Sequence, residues 1–269
     1  MKLIQQIALA GITLILFSCS GNLNRLNVIN ARSFSEKQIT LESWPDNPRD
    51  TDSLRSEIEI PISDKDATLT KLDEMESQLE SIRKSESDSS WSGLTSKWID
   101  FRNLNFKILQ PDSLFIARSS VITKKWAELN VNLLKFSEEV RFGDALEELL
   151  YQSEAPSLSE KLIKSIIYTH VDDQIFINLF YPSDLTHQHT TGGTIKLIQK
   201  TTFPSSNEII LKCECNDVRY LDVFIRIPEW AVNPTVRHGN VKYVARPGEY
   251  CQIYRKWKDG DEFLIKLKN

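Results

Sequence analysis

"YRKWKDGDEFLIKL", Tyr254 to Leu267, almost closes the 269-residue chain. Apolar and polar residues alternate on both sides of Lys258-Asp259-Gly260, the pattern of two half-buried strands around a tight turn. Asp259-Gly260 offers the positive φ angles that a two-residue turn demands, so the stretch is expected to be the last hairpin of a sheet. Working outward, "EYCQIYRKW", "VRHGNVKYV", "YLDVFIRIPEW", "EIILKCEC", "GTIKLIQKTTF" and "QIFINLFY" are short runs rich in Ile, Val, Phe and Tyr, separated by Gly, Pro, Asn and Asp. Leu221, Val223, Ile225 and Ile227 alternate with Asp222 and Arg226. About seven or eight strands at this spacing predict an all-β sandwich over residues 166–269.

The texture before Tyr168 is helical, which makes the fold class α+β, with a helical segment over 66–165 ahead of the sandwich. Leu69, Leu72, Met75, Leu79 and Ile82 recur at spacings of three and four, the signature of an amphipathic helix packed on its own domain. Ser85 to Ser92 reads as a break. A second block follows Pro111-Asp112-Ser113, whose Asp or Ser can cap free amides, and carries Phe115, Ile122, Trp126, Leu129, Leu133, Leu134 and Phe136. "RFGDALEELLYQ" (Arg141 to Gln152) makes another helix. Ser157 to Glu160 forms a capping box that opens one more through Ile167.

At the other end, an apolar run from Ile7 to Phe17 is a signal-peptide core, too short to span a bilayer. Leu16-Phe17-Ser18-Cys19 resembles a bacterial lipoprotein cleavage site, so residues 1–19 are expected to be the signal, with Cys19 lipidated, and the protein to sit in the cell envelope on a lipid anchor. Residues 20–65, polar and interrupted by Pro45, Pro48 and Pro61, are expected to form a tether. A net charge of -4 and the absence of a Lys/Arg-rich block exclude nucleic acid as an expected partner. Cys213 and Cys215 point to one face of a strand and suit structural thiols, or one of them a disulfide with Cys251, better than a zinc site.

Asn178-Leu-Phe-Tyr-Pro-Ser183, Gln199 with Thr201, Phe203 and Pro204, Arg226-Ile-Pro-Glu-Trp-Ala231, and Arg255-Lys-Trp-Lys-Asp-Gly-Asp261 follow one another between residues 178 and 261. In that order they resemble the C-terminal part of glycoside hydrolase family 127, the β-L-arabinofuranosidase group also called DUF1680. "RFGDALEELLYQ" looks like the family helix that ends in D-x-x-E-x-x-L-Y-N. The resemblance implies an (α/α)6 barrel with an acid/base Glu and a zinc held by a Glu and three cysteines, one of them the nucleophile.

Those implied residues are missing. Glu154-Ala155-Pro156 stands where the family has C-C-P, and Ser119-Ser120-Val121 where it has E-T-C. Between Asn22 and Lys212 there is no Cys at all, and zinc needs thiolate or comparable donors converging at about 2 Å. The roughly 145 residues between signal and sandwich also fall short of the roughly 300 that twelve helices need. The helical segment is therefore expected to be a remnant of the barrel, and no cofactor is expected.

Other constellations are sparse. Glu138, Glu139, Glu147 and Glu148 are acidic positions on helices, where charged faces are usually solvated; His187 and His189 are loop histidines without a carboxylate between them. Trp230, Trp257 and Tyr250, with Tyr254, are the aromatic candidates for sugar contact, against a competing reading as core packing. No catalytic residue is assigned. The expectation is a lipid-anchored, non-catalytic protein that binds glycan or an envelope partner. The competing readings are a working hydrolase, alone or completed by a second chain, and a decaying gene fragment.

Overall fold

The structure, a computed structural model, describes residues 28–42, 65–85, 88–105, 120–151 and 158–268. The signal, Cys19, the Asp112-Ser113 cap, Ser119 and Glu154-Ala155-Pro156 lie outside the described residues.

Helices α1 (Lys65–Ser85), α2 (Asp88–Asn105), α3 (Ser120–Ser137), α4 (Val140–Tyr151) and α5 (Glu160–Ile166) come first. In α1 the stripe Leu72, Met75, Leu79 and Ile82 is buried, as its periodicity requires. The expected break is corrected: from Asp88 onward it is the start of α2, which buries Trp91, Leu94, Trp98 and Phe101. Of the serines that suggested a loop, Ser85 ends α1 and Ser89, Ser90 and Ser92 lie in the first turns of α2, where the burial of the apolar positions overrides their weak propensity. Trp98 stacks on Trp126 of α3 with centroids 5.4 Å apart, and its indole N–H donates to Asn130 Oδ1 at 2.9 Å. At α5 the cap is Ser159, whose hydroxyl accepts from the Leu162 amide.

Two sheets form the C-terminal part. One has the order β1 (Arg32–Ser33), β3 (Tyr168–Val171), β4 (Gln174–Ile177), β8 (Arg219–Arg226), β11 (Tyr250–Trp257). The other runs β10 (Val241–Tyr243), β9 (Thr235–His238), β12 (Glu262–Lys266), β7 (Glu208–Cys215), β6 (Thr194–Thr201), β5 (Ser183–Gln188), β2 (Ile39–Leu41). Among the described residues the strands pair antiparallel except β4 with β8, and one isolated parallel bridge joins Val232 to Lys268. Alternate residues such as Leu221, Val223, Ile225, Cys251, Ile253 and Trp257 meet Leu197, Ile209, Leu211, Phe263 and Ile265 in the core between the sheets.

Two expectations need correction. Tyr254 to Leu267 is not a hairpin: β11 pairs with β8 in the first sheet, while β12 pairs with β7 and β9 in the second. Lys258 to Asp261 is a corner that carries the chain across the sandwich. Only Gly260 there has a positive φ, 77°. The corner's polar groups bond to β7: the Cys213 amide donates to Asp261 O, the Gly260 amide to Cys213 O, and the Cys215 amide to Asp259 Oδ1. Alternation and a Asp-Gly pair read the same in a hairpin and in a corner, because both need two strands and a tight reversal.

The second correction concerns residues 28–42, expected within the tether. They supply an edge strand to each sheet and bury Ala31, Phe34 and Ile39. The amides of Ile29 and Asn30 donate to Phe136 O, and that of Ala31 to Lys135 O, so this segment satisfies carbonyls at the open C-terminal end of α3. Backbone pairing of this kind leaves little trace in side-chain composition.

Candidate functional site

The helices meet the sandwich across a seam of buried polar groups, and Arg226 is its centre. It ends β8 on the sheet's outer face and is fully buried. Asp144 and Glu147 lie three residues apart on α4 and therefore share one helix face. Arg226 Nη1 donates to Asp144 Oδ1 and Nη2 to Glu147 Oε2, while Nε donates to the Asn178 carbonyl. The other oxygens are also taken: Asp144 Oδ2 accepts from the Glu229 amide at 3.1 Å and Glu147 Oε1 from the Trp230 indole at 2.8 Å. Burial works against the charge on Arg226, yet the two carboxylates hold it protonated more firmly than a free guanidinium. Burial also pushes the Asp144 carboxyl up, against the pull of Arg226. A buried ion cluster persists only when every lone pair and proton is matched, and here each carboxylate oxygen has a donor.

Beside it runs a second network through Asn178, Thr169, Glu138 and Tyr250. Asn178 Nδ2 donates to Ile166 O and to Thr169 Oγ1, both at 2.9 Å. The Thr169 hydroxyl donates to Glu138 Oε1 at 2.8 Å. The Tyr250 hydroxyl lies 2.6 Å from Asn178 Oδ1 and 3.2 Å from Glu138 Oε2. Its one proton goes to the shorter contact, so the longer one is closed by a proton on Glu138. Burial pushes the Glu138 carboxyl up to about 8, against its hydrogen bond from Thr169, its contact with Tyr250 and the charge of Lys135. A carboxylic acid held neutral in this way completes a ring of donors and acceptors. Glu138 also sits at φ 50°, a left-handed conformation that a non-glycine residue adopts at a cost of about 1 kcal/mol, between the end of α3 and the start of α4.

Asp144-x-x-Glu147 and Arg226-Ile-Pro-Glu-Trp230 are thus two halves of one contact. Residues 174–268 match the family model for Beta-L-arabinofuranosidase, GH127 middle domain. The chain is GH127-like over that stretch. Similar solved structures include a glycoside hydrolase at 17% identity and TM-score 0.48, with 55% of this chain and 32% of that one aligned. Another is a GH127 beta-L-arabinofuranosidase from Geobacillus stearothermophilus T6, at 19% identity and TM-score 0.48, with 55% and 31% aligned. The chain spans about a third of the length of these proteins. No curated protein matches it.

Around this GH127-like sandwich the aromatic candidates separate. Trp257 has no exposed surface; its indole donates to Leu221 O at 3.0 Å and its ring packs on Phe263. It is a core residue, and its expected sugar contact is corrected. Tyr250 is half-buried with its hydroxyl committed to the Asn178 ring. Trp230 keeps 38% exposure, but its edge is bound to Glu147, its ring stacks on Phe203 at 6.0 Å, and Lys268 Nζ lies 5.3 Å from its centroid. The remaining carboxylates are paired as well: Glu139 with the Trp91 indole and Arg141, Glu148 with Arg102.

The loop expected around the histidines is corrected: His187 lies on β5 and His189 directly follows it, and they do have a carboxylate, from outside that strand. Both His187 and His189 are buried around Asp173, with Nε2 atoms 2.8 Å and 3.3 Å from its two oxygens, and His189 Nε2 also lies 2.8 Å from Tyr220 O. Phe34 from the N-terminal segment stacks on His170 at 4.3 Å and meets His187 edge-on. The GH127 zinc does not fit the residues present. Among the described residues no group of three His, Cys, Asp or Glu could hold a metal ion. Cys213, Cys215 and Cys251 are free thiols on β7 and β11, and burial pushes the Cys251 thiol up to about 12 and the other two upward, away from the thiolate a metal requires.

Proposed function

We propose that the chain is a lipid-anchored cell-envelope protein, tethered at Cys19, that binds glycan without cleaving it. The observation that carries this reading is the state of the carboxylates at the seam between helices and sandwich. Hydrolysis of a glycoside by two carboxylates needs an acid and a base or nucleophile facing each other across an open cleft, with separated proton affinities. Asp144 and Glu147 instead neutralise Arg226 in a closed cluster, and Glu138, whose carboxyl burial pushes up, is enclosed by Thr169 and Tyr250. A sandwich of this kind retains sheet faces that can present aromatic and polar groups to a sugar.

The test is to express the full chain in a bacterial host, with p-nitrophenyl β-L-arabinofuranoside as substrate and soluble arabinan and arabinogalactan as ligands. The expected result is a membrane-associated protein that binds at least one polysaccharide and releases no nitrophenol. Cys19→Ser is expected to move it to the soluble fraction. Turnover would overturn the non-catalytic reading, and fractionation unaffected by Cys19→Ser would overturn the anchor.

A further inference from the structure

On the outer face of the five-stranded sheet, Tyr220 stands opposite Lys256, Asp222 opposite Tyr254, Phe224 opposite Gln252 and Arg226 opposite Tyr250. These pairs form one continuous stripe across β8 and β11, because side chains two apart on a strand share a face. The helices cover the stripe only at its Arg226 end. Toward the other end the cover stops, leaving Tyr220 at 52% and Tyr254 at 68% exposure. Their rings lie 5.8 Å apart with planes within 16° of parallel, and Lys256 Nζ sits 5.1 Å from the Tyr220 centroid. Gln252 Nε2 donates to Asp222 Oδ2 at 2.9 Å, whereas Asp222 Oδ1 is buried and accepts no hydrogen bond.

We propose that Tyr220, Asp222, Gln252, Tyr254 and Lys256 form a binding platform for a neutral carbohydrate chain. The proposal rests on the glycan-binding reading above and gives that reading a site. A sugar ring presents a C–H face that packs on an aromatic ring and a rim of hydroxyls that donate and accept hydrogen bonds. Two parallel tyrosine rings flanked by a carboxylate, an amide and an ammonium match that division of surface. The Gln252 amide, held by Asp222 Oδ2, and the Lys256 ammonium supply polar groups beside the rings for the sugar's hydroxyl rim. Asp222 and Lys256 cancel in charge, so the patch favours no polyanion, and a nucleic acid or an anionic lipid surface finds no attraction here.

Affinity electrophoresis of the full chain through gels containing arabinan, arabinogalactan or galactomannan tests the platform. The wild type is expected to be retarded by at least one of them. Tyr220→Ala with Tyr254→Ala should weaken the retardation roughly tenfold or more, since loss of a stacking face commonly costs a factor of that size. The thermal unfolding midpoint should fall by no more than a few degrees, the loss of one exposed cross-strand pair. Tyr254→Trp, which preserves the aromatic face, should retain binding. Retardation that survives the double substitution would overturn the platform while leaving glycan binding elsewhere on the molecule. Absence of retardation for the wild type in every gel would overturn the glycan-binding reading itself, and the platform with it. Self-association abolished by the double substitution, without any glycan binding, would assign the face to a second copy and likewise overturn the proposal.

Discussion

Glu138 carries the sharpest chemical statement a single residue makes in this protein. Its carboxyl is raised from the usual 4.5 to about 8 because it is buried, so the folded state holds a proton that the unfolded chain releases above about 4.5. Stability therefore falls as pH rises from about 4.5 toward 8 and levels off beyond, a trend opposite to that of a carboxylate in an ion pair. Glu138→Gln should keep the ring, with the amide NH2 donating to Tyr250 and the amide oxygen accepting from Thr169. Thermal melts between pH 5 and pH 8 are expected to slope downward in the wild type and to lose most of that slope in Glu138→Gln. An unchanged slope in the variant would show that another group carries it. The sequence marked Glu138 only as one acidic residue among four. Nothing in its neighbours reveals that Thr169, Asn178 and Tyr250, from three separate strands or their ends, enclose it.

At the scale of elements, the decisive contact is α4 against the end of β8. Gly143 lies on the face of α4 that approaches Arg226, and a Cβ there would stand 2.6 Å from Arg226 Cδ. Alanine in a helix ordinarily gains about 1 kcal/mol over glycine. Here Arg226 is held by Asp144, Glu147 and Asn178 O and cannot swing away. Gly143→Ala should therefore destabilise by about 1–3 kcal/mol, read as a lower denaturation midpoint in urea at unchanged slope. A gain in stability would mean that the cluster is loose. The helix α2 illustrates the opposite limit of legibility. Its Trp91, Leu94, Trp98 and Phe101 stand at helical spacings, but the serines among them concealed the element.

Across the whole molecule, both sheets depend on residues 28–42 for an edge strand, while the same residues satisfy the end of α3. A chain beginning at Val28 keeps both edge strands. One beginning at Ser43 uncovers the edges of β3 and β5 and removes Phe34 from His170 and His187, so it should melt lower and aggregate more readily. Equal melting of the two truncated chains would show these strands to be dispensable. The sequence by itself determined the α+β class, the helix stripes of α1 and α4, most strands of the sandwich and the family resemblance of its C-terminal part. Those features rest on periodicity and on local motifs, and each is written within a few consecutive residues. Only the tertiary structure decided that Lys258 to Asp261 is a corner between sheets, that Trp257 is core, that Asp144, Glu147 and Arg226 form one cluster, and that Tyr220 and Tyr254 share an open face. Each of these depends on which strand lies beside which, a choice made by long-range pairing and burial that no local pattern encodes.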